Sequence, residues 1–118
     1  MISVSITLIL SGLLITCVCV PMIYELIPPN VWYGMRTKHT FRSNEAWYHL
    51  NEIGGMLFSL LGFPLMLGGG IGLFLTDQHV ALIGTATSIA ALVSLGLATY
   101  LFVRYSIRYT VRTEQDAL

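Results

Sequence analysis

Charge is scarce in this chain and, over long stretches, missing. Asp, Glu, Lys and Arg make up 10% of the 118 residues, against roughly a quarter in an ordinary soluble domain. Residues 2–24, 53–75 and 80–103 contain none of them. That absence argues against a water-soluble domain. It also argues against an ion-coupled pump or a midplane catalyst, because an intramembrane charge is costly and is kept for such functions. Cysteine is nearly missing too. Cys17 and Cys19 lie two apart, so on a helix they do not share a face. Neither a disulfide nor a metal pair is expected between them, and both read as small apolar packing residues. There is no tandem repeat, low-complexity run or nucleic-acid motif. The first apolar stretch lacks the basic n-region and small-residue cleavage site of a removable leader and is too long for one, so it counts as a span.

What is present is apolar. Hydrophobic residues make up 55% of the chain and its mean hydropathy is +0.75. Each uncharged stretch can cross a bilayer core of about 30 Å as a helix. The expected fold is therefore all-α: one integral membrane domain over residues 1–118, with three transmembrane helices and a structured polar loop at 25–52 between helices 1 and 2. A basic tail follows at 104–118. All six cations fall in that loop (Arg36, Lys38, Arg42) or that tail (Arg104, Arg108, Arg112), and three spans put both on one side. The positive-inside rule makes that side cytoplasmic, with the N-terminus outside and the C-terminus inside. Asp77 is the one acidic residue expected on the outer side.

Helix starts and irregularities are legible as well. Pro21 removes a backbone donor near the inner end of the first helix. Ser43 reads as an N-cap with Glu45 in the first turn behind it, so the second helix should begin before its apolar run. The glycines at 54, 55, 62, 68, 69, 70 and 72, with Pro64, have two readings. One is close helix contact, with Gly68 and Gly72 as a small-xxx-small pair; the other is a locally broken helix. The third helix carries Gly84, Ser88, Ala91 and Leu95 along one face. Beyond the membrane, Arg104, Arg108 and Arg112 recur every four residues and form a lipid-facing basic stripe, with Tyr105 and Tyr109 beside it.

Most of the information sits in the loop. Two prolines favour an extended start, Gly34 permits positive φ, and Trp32 and Tyr33 suit the headgroup zone. Arg36 offers a planar fork of donors for a phosphate or carboxylate, with Asn30, Thr37 and Thr40 nearby. These groups either build an anion site or satisfy one another within a braced loop, where Arg36 could pair with Glu25, Glu45 or Glu52. Glu45, His49 and Glu52 share a helical face, which makes them weak metal candidates. The set lacks a second helical histidine, so neither a metal nor any other cofactor is expected.

The string Pro29-Asn30-x-x-Tyr33-Gly34-x-Arg36-Thr37-x-x-Thr40, followed by Ser43, Trp47 and Asn51-x-x-Gly54-Gly55, resembles the signature of the SdpI/YfhL family of bacterial membrane proteins. The likeness runs from about residue 24 to 104. It implies that Asn30, Tyr33, Gly34, Arg36, Thr37, Thr40, Trp47 and Asn51 form the functional or structural heart. The family's founding member is an immunity protein that protects its cell from a secreted toxic peptide and holds a repressor at the membrane. The resemblance therefore implies a non-enzymatic protein of the bacterial inner membrane conferring immunity to, or signalling in response to, a toxic antimicrobial peptide. The implied partners are membrane lipids, the peptide or a cytosolic regulator, with a homo-oligomer left open and nucleic acid excluded. The chain is shorter than family members that carry additional spans. Two alternatives stand beside this reading. One is a lipid- or small-solute-handling transporter or enzyme using the Arg/Thr/Asn loop; the other is an accessory subunit of a membrane complex.

Overall fold

A computed structural model describes residues 1–118 and contains helices and loops but no strands. Helix α1 spans Ile2–Ile23, α2 Asn44–Ser59, α3 Gly62–Gly72 and α4 Val80–Asp116. Three segments are long and apolar enough to cross a membrane: α1, the stretch Asn44–Gly72 formed by α2 and α3, and the helix ending at Asp116. Large side chains such as Leu10, Leu14, Phe63, Phe74, Leu92 and Val93 point outward. Water-soluble monomers rarely expose so much apolar surface, and hydrocarbon is the solvent that suits it. The chain is a multi-pass membrane protein, 62 Å along its long axis and 23 × 18 Å across.

The second span is locally broken, at residues 60 and 61, and the cause is Pro64. A proline has no N–H for the carbonyl four residues back and its ring crowds that carbonyl. The Leu60 carbonyl therefore takes the Phe63 N–H at 3.3 Å, while Leu61 N–H reaches the Phe58 carbonyl at 3.1 Å. The backbone tightens for one turn but stays right-handed, so the span is interrupted without unwinding. Upstream, Ser43 Oγ accepts the Ala46 N–H at 3.0 Å and starts α2 before the apolar run, with Glu45 in its first turn.

Close contact and breakage, two readings of the glycines, both occur. A Cβ on Gly12 or on Gly62 would meet the other's carbonyl oxygen at 2.6 Å, so α1 and α3 touch backbone to backbone there. Gly68 and Gly72 do not act as one pair, however. Gly68 lies against Thr87 of α4, whereas Gly69 and Gly72 lie against Ser5 of α1. The reason is that α3 is wedged between α1 and α4, and glycines on both its flanks let two neighbours approach. Helix α4 turns Thr87, Ala98, Phe102 and Ser106 inward, while Ser88 faces outward and Gly84 meets no side chain of this chain.

Helix α4 does not end with its apolar run at residue 103. It continues for 13 further residues to Asp116, about 20 Å at 1.5 Å per residue. This extension lies beside the loop that joins α1 to α2. At the far end, the Met1 amine contacts the Asp77 carboxylate, which closes the α3–α4 connection onto the start of α1. That contact holds the Asp77 carboxyl below its ordinary pKa, through the hydrogen bond first and the charge of the amine second.

Candidate functional site

The loop begins with a tight reversal. Leu26 N–H returns to the Pro21 carbonyl at 2.9 Å and Glu25 N–H to the Met22 carbonyl at 3.2 Å, the paired bonds of a Schellman helix end. The residue at the left-handed position is normally glycine; here it is Glu25, at φ 57°. The chain then runs through Pro28 and Pro29 to Asn30. Its Oδ1 accepts the N–H groups of Trp32 at 2.7 Å and Tyr33 at 2.6 Å, and its Nδ2 donates to the Pro28 carbonyl at 2.8 Å. One amide thereby sets three residues of backbone.

Helix α2 holds the next turn. Trp47, with no exposed surface, donates its indole N–H to the Ile27 carbonyl at 2.8 Å. Asn51 Oδ1 accepts the Met35 N–H at 2.6 Å, while Nδ2 donates to the Trp47 carbonyl at 2.9 Å. Gly34 lies against that amide at φ 102°. A Cβ at Gly34 would stand 2.5 Å from Asn51 Oδ1, so both the dihedral and the space demand glycine. Tyr33 reaches back to donate its hydroxyl to the Val18 carbonyl on α1. Arg36 turns onto the Val31 carbonyl and pairs with none of Glu25, Glu45 or Glu52. Thr37 and Thr40 clasp one another: Thr37 N–H donates to Thr40 Oγ1 at 2.8 Å and that hydroxyl donates to the Thr37 carbonyl at 2.9 Å.

All eight motif residues thus gather on one ledge where the loop folds over the start of α2. The bonds join loop to loop, loop to α2 and loop to α1. Two aromatic rings stand on the ledge's outer surface, Trp32 at 88% exposed and Phe41 half exposed, beside exposed Val31, Arg36 and Lys38.

The extension of α4 docks on the other side of this ledge. His39 Nδ1 bonds Thr110 Oγ1 at 2.9 Å, and Arg42 pairs with Glu114 at 3.0 Å. His49 Nε2 bonds the Tyr105 hydroxyl, and its ring stacks on Tyr109 with centroids 4.8 Å apart. Two open cavities flank this contact. One, of about 580 Å³, lies between Arg42, Ser43 and Glu45 on one wall and Tyr109, Thr113 and Glu114 on the other. The second, of about 570 Å³, is lined by Glu25, Glu45, His49, Tyr105, Tyr109 and Arg112, with Tyr48 at its edge. Burial, then the Glu45 carboxylate and Tyr105, push the Tyr109 phenol above its ordinary pKa. Of the three weak metal candidates, Glu45 and His49 share a cavity wall, Glu52 lies off it, and one ring nitrogen of His49 is occupied by Tyr105. Arg104 stacks over Tyr100, and Arg108 and Arg112 have no carboxylate partner.

Sequence reasoning placed Tyr105 and Tyr109 beside the arginine stripe and did not join them to His49, nor His39 to Thr110. The signal was available. Ala98, Phe102, Ser106 and Thr110 recur every four residues and carry the inward face of α4 out of the membrane without a break in phase.

Compared with known proteins, residues 26–106 match the model of the SdpI/YfhL protein family. The match covers the loop, α2, α3 and α4 as far as Ser106. No curated protein and no solved structure matches the chain.

Proposed function

Because the chain belongs to the SdpI/YfhL family, we propose that it is a non-enzymatic immunity or signalling protein that recognises a toxic antimicrobial peptide at a bacterial cell membrane. The loop and the α4 extension face the cytoplasm in this reading, since they carry every Lys and Arg. The observation that carries it is the chemistry of the ledge. Asn30, Arg36, Thr37, Thr40, Trp47 and Asn51 direct polar atoms at the protein's own backbone or at one another. A group that acts on a substrate must come within hydrogen-bond reach of it. A ledge that satisfies them internally while exposing Trp32 and Phe41 is a rigid recognition surface, and exposed aromatics are the side chains that anchor protein contacts. Arg36 ties one guanidinium nitrogen to the Val31 carbonyl and leaves the rest of that exposed group free.

Expression in a peptide-sensitive bacterium tests this. Cells carrying the protein should survive a killing dose of a cognate membrane-active peptide. Trp32→Ala should abolish the protection with membrane levels unchanged. Equal killing of expressing and control cells across a panel of such peptides refutes the proposal.

A further inference from the structure

The seam between α2 and α4 carries a second site, distinct from the ledge. A groove of about 300 Å³ runs along it, lined by Ile53, Leu57 and Leu101, with Arg104, Tyr105 and Arg108 at its mouth. Tyr105 also lines the 570 Å³ cavity that holds Glu25, Glu45, His49, Tyr109 and Arg112, so the two hollows share one side chain. Their depth is set by the sequence. Ile53 and Leu101 lie at the ends of uncharged stretches, while Glu45 and Tyr109 lie eight and six residues beyond residues 53 and 103, about 9–12 Å outside the hydrocarbon edge. The headgroup layer is about 5–8 Å deep on each side, so this cavity opens at its aqueous limit.

Charge runs in order along the same path. The apolar groove comes first. Guanidinium groups follow at Arg104 and Arg108, neither paired with a carboxylate. Next come carboxylates at Glu25 and Glu45, also unpaired, among the aromatic faces of Tyr105, Tyr109 and His49; Arg112 lines the same cavity, where the two carboxylates outnumber its one guanidinium. A ligand complementary to that order has a hydrocarbon chain, then a phosphate, then an ammonium group. Arginine suits phosphate, and carboxylates with aromatic rings suit a cationic nitrogen.

We propose that the α2–α4 seam binds an amine-bearing phospholipid of the phosphatidylethanolamine class, with an acyl chain along Ile53, Leu57 and Leu101, the phosphate at Arg104 and Arg108, and the ammonium group among Glu45, Tyr105 and Tyr109. The site does not depend on the immunity reading, because none of these residues belongs to the loop motif.

Native mass spectrometry of the purified protein tests it. Phosphatidylethanolamine and phosphatidylglycerol with identical acyl chains are titrated at high ionic strength, where diffuse attraction to the arginine stripe is screened. The wild type should retain the ethanolamine lipid about threefold to fivefold better, the scale of one partly exposed ion pair. Glu45→Gln should erase the preference, while Arg104→Ala with Arg108→Ala should weaken both lipids alike. Equal retention of the two lipids by the wild type overturns the proposal whatever the variants do. So does a preference that Glu45→Gln leaves intact in a protein with unchanged melting. A lysine-rich peptide bound through Glu45 without any preference between the lipids would also overturn it and assign the cavity to peptide.

Discussion

Replacing Gly34 by alanine attacks the ledge at its tightest point. Two costs arise. At φ 102° an L-residue is strained by about 1–3 kcal/mol. The new Cβ would also stand 2.5 Å from Asn51 Oδ1, which now accepts the Met35 N–H at 2.6 Å. Moving that oxygen away leaves a half-buried backbone donor unmatched, at about 1–3 kcal/mol. One shift can relieve part of both, so the expected loss is about 2–4 kcal/mol. The assay is unfolding in mixed micelles by increasing sodium dodecyl sulfate, followed by the fluorescence of buried Trp47 in a Trp32→Phe background. Gly70→Ala is the control. That glycine lies inside α3 with open space where a Cβ would go, so the change should be neutral or stabilise by about 0.5–1 kcal/mol. A Gly34→Ala protein within about 0.5 kcal/mol of its parent would refute the reasoning, since that is the size of an ordinary surface change. Asn51→Ala supplies a cross-check. If the clash is with its amide, the two substitutions should couple by about 1 kcal/mol or more rather than add.

Three further outcomes are expected. Trp47→Phe keeps the buried ring but strips the Ile27 carbonyl of its donor, so the same titration should show a loss of about 1–3 kcal/mol; no loss would mean the loop holds without that tie. Arg42→Ala removes the half-exposed pair with Glu114 and should cost under about 1 kcal/mol at low salt and nothing measurable at high salt; a large, salt-independent loss would contradict a screened surface pair. The raised pKa of Tyr109 means the folded state favours the neutral phenol. Its contribution is complete below the ordinary phenol range near pH 10 and fades as pH climbs through the raised value. Tyr109→Phe should therefore flatten the alkaline limb of stability against pH, and superimposable limbs for parent and variant would refute this.

How much could be read beforehand follows from what kind of force acts. Three uncharged apolar stretches of more than twenty residues each point to membrane helices, because hydrocarbon offers backbone groups no partner and a run of that length satisfies them within its own helix. Ser43 as a cap, the break caused by Pro64 and the need for glycine at 34 are local backbone effects, and local effects are written in neighbouring residues. The grouping of motif residues was legible, but its use was not. Asn30, Thr37 and Thr40 have the same chemistry whether they hold a ligand or a loop. Only the placement of the Trp32, Tyr33 and Met35 N–H groups against Asn30 and Asn51 shows where their bonds go. Gly68 and Gly72 likewise have one spacing but two neighbours, and the wedge of α3 between α1 and α4 separates them. The sequence by itself determined which segments lie in the membrane and which residues share its polar edge. Tertiary structure alone decided that α4 runs past the bilayer to set Tyr105 and Tyr109 against His49, 56 and 60 residues away. Contacts over such separations depend on how whole helices are laid side by side, and no short-range pattern encodes that.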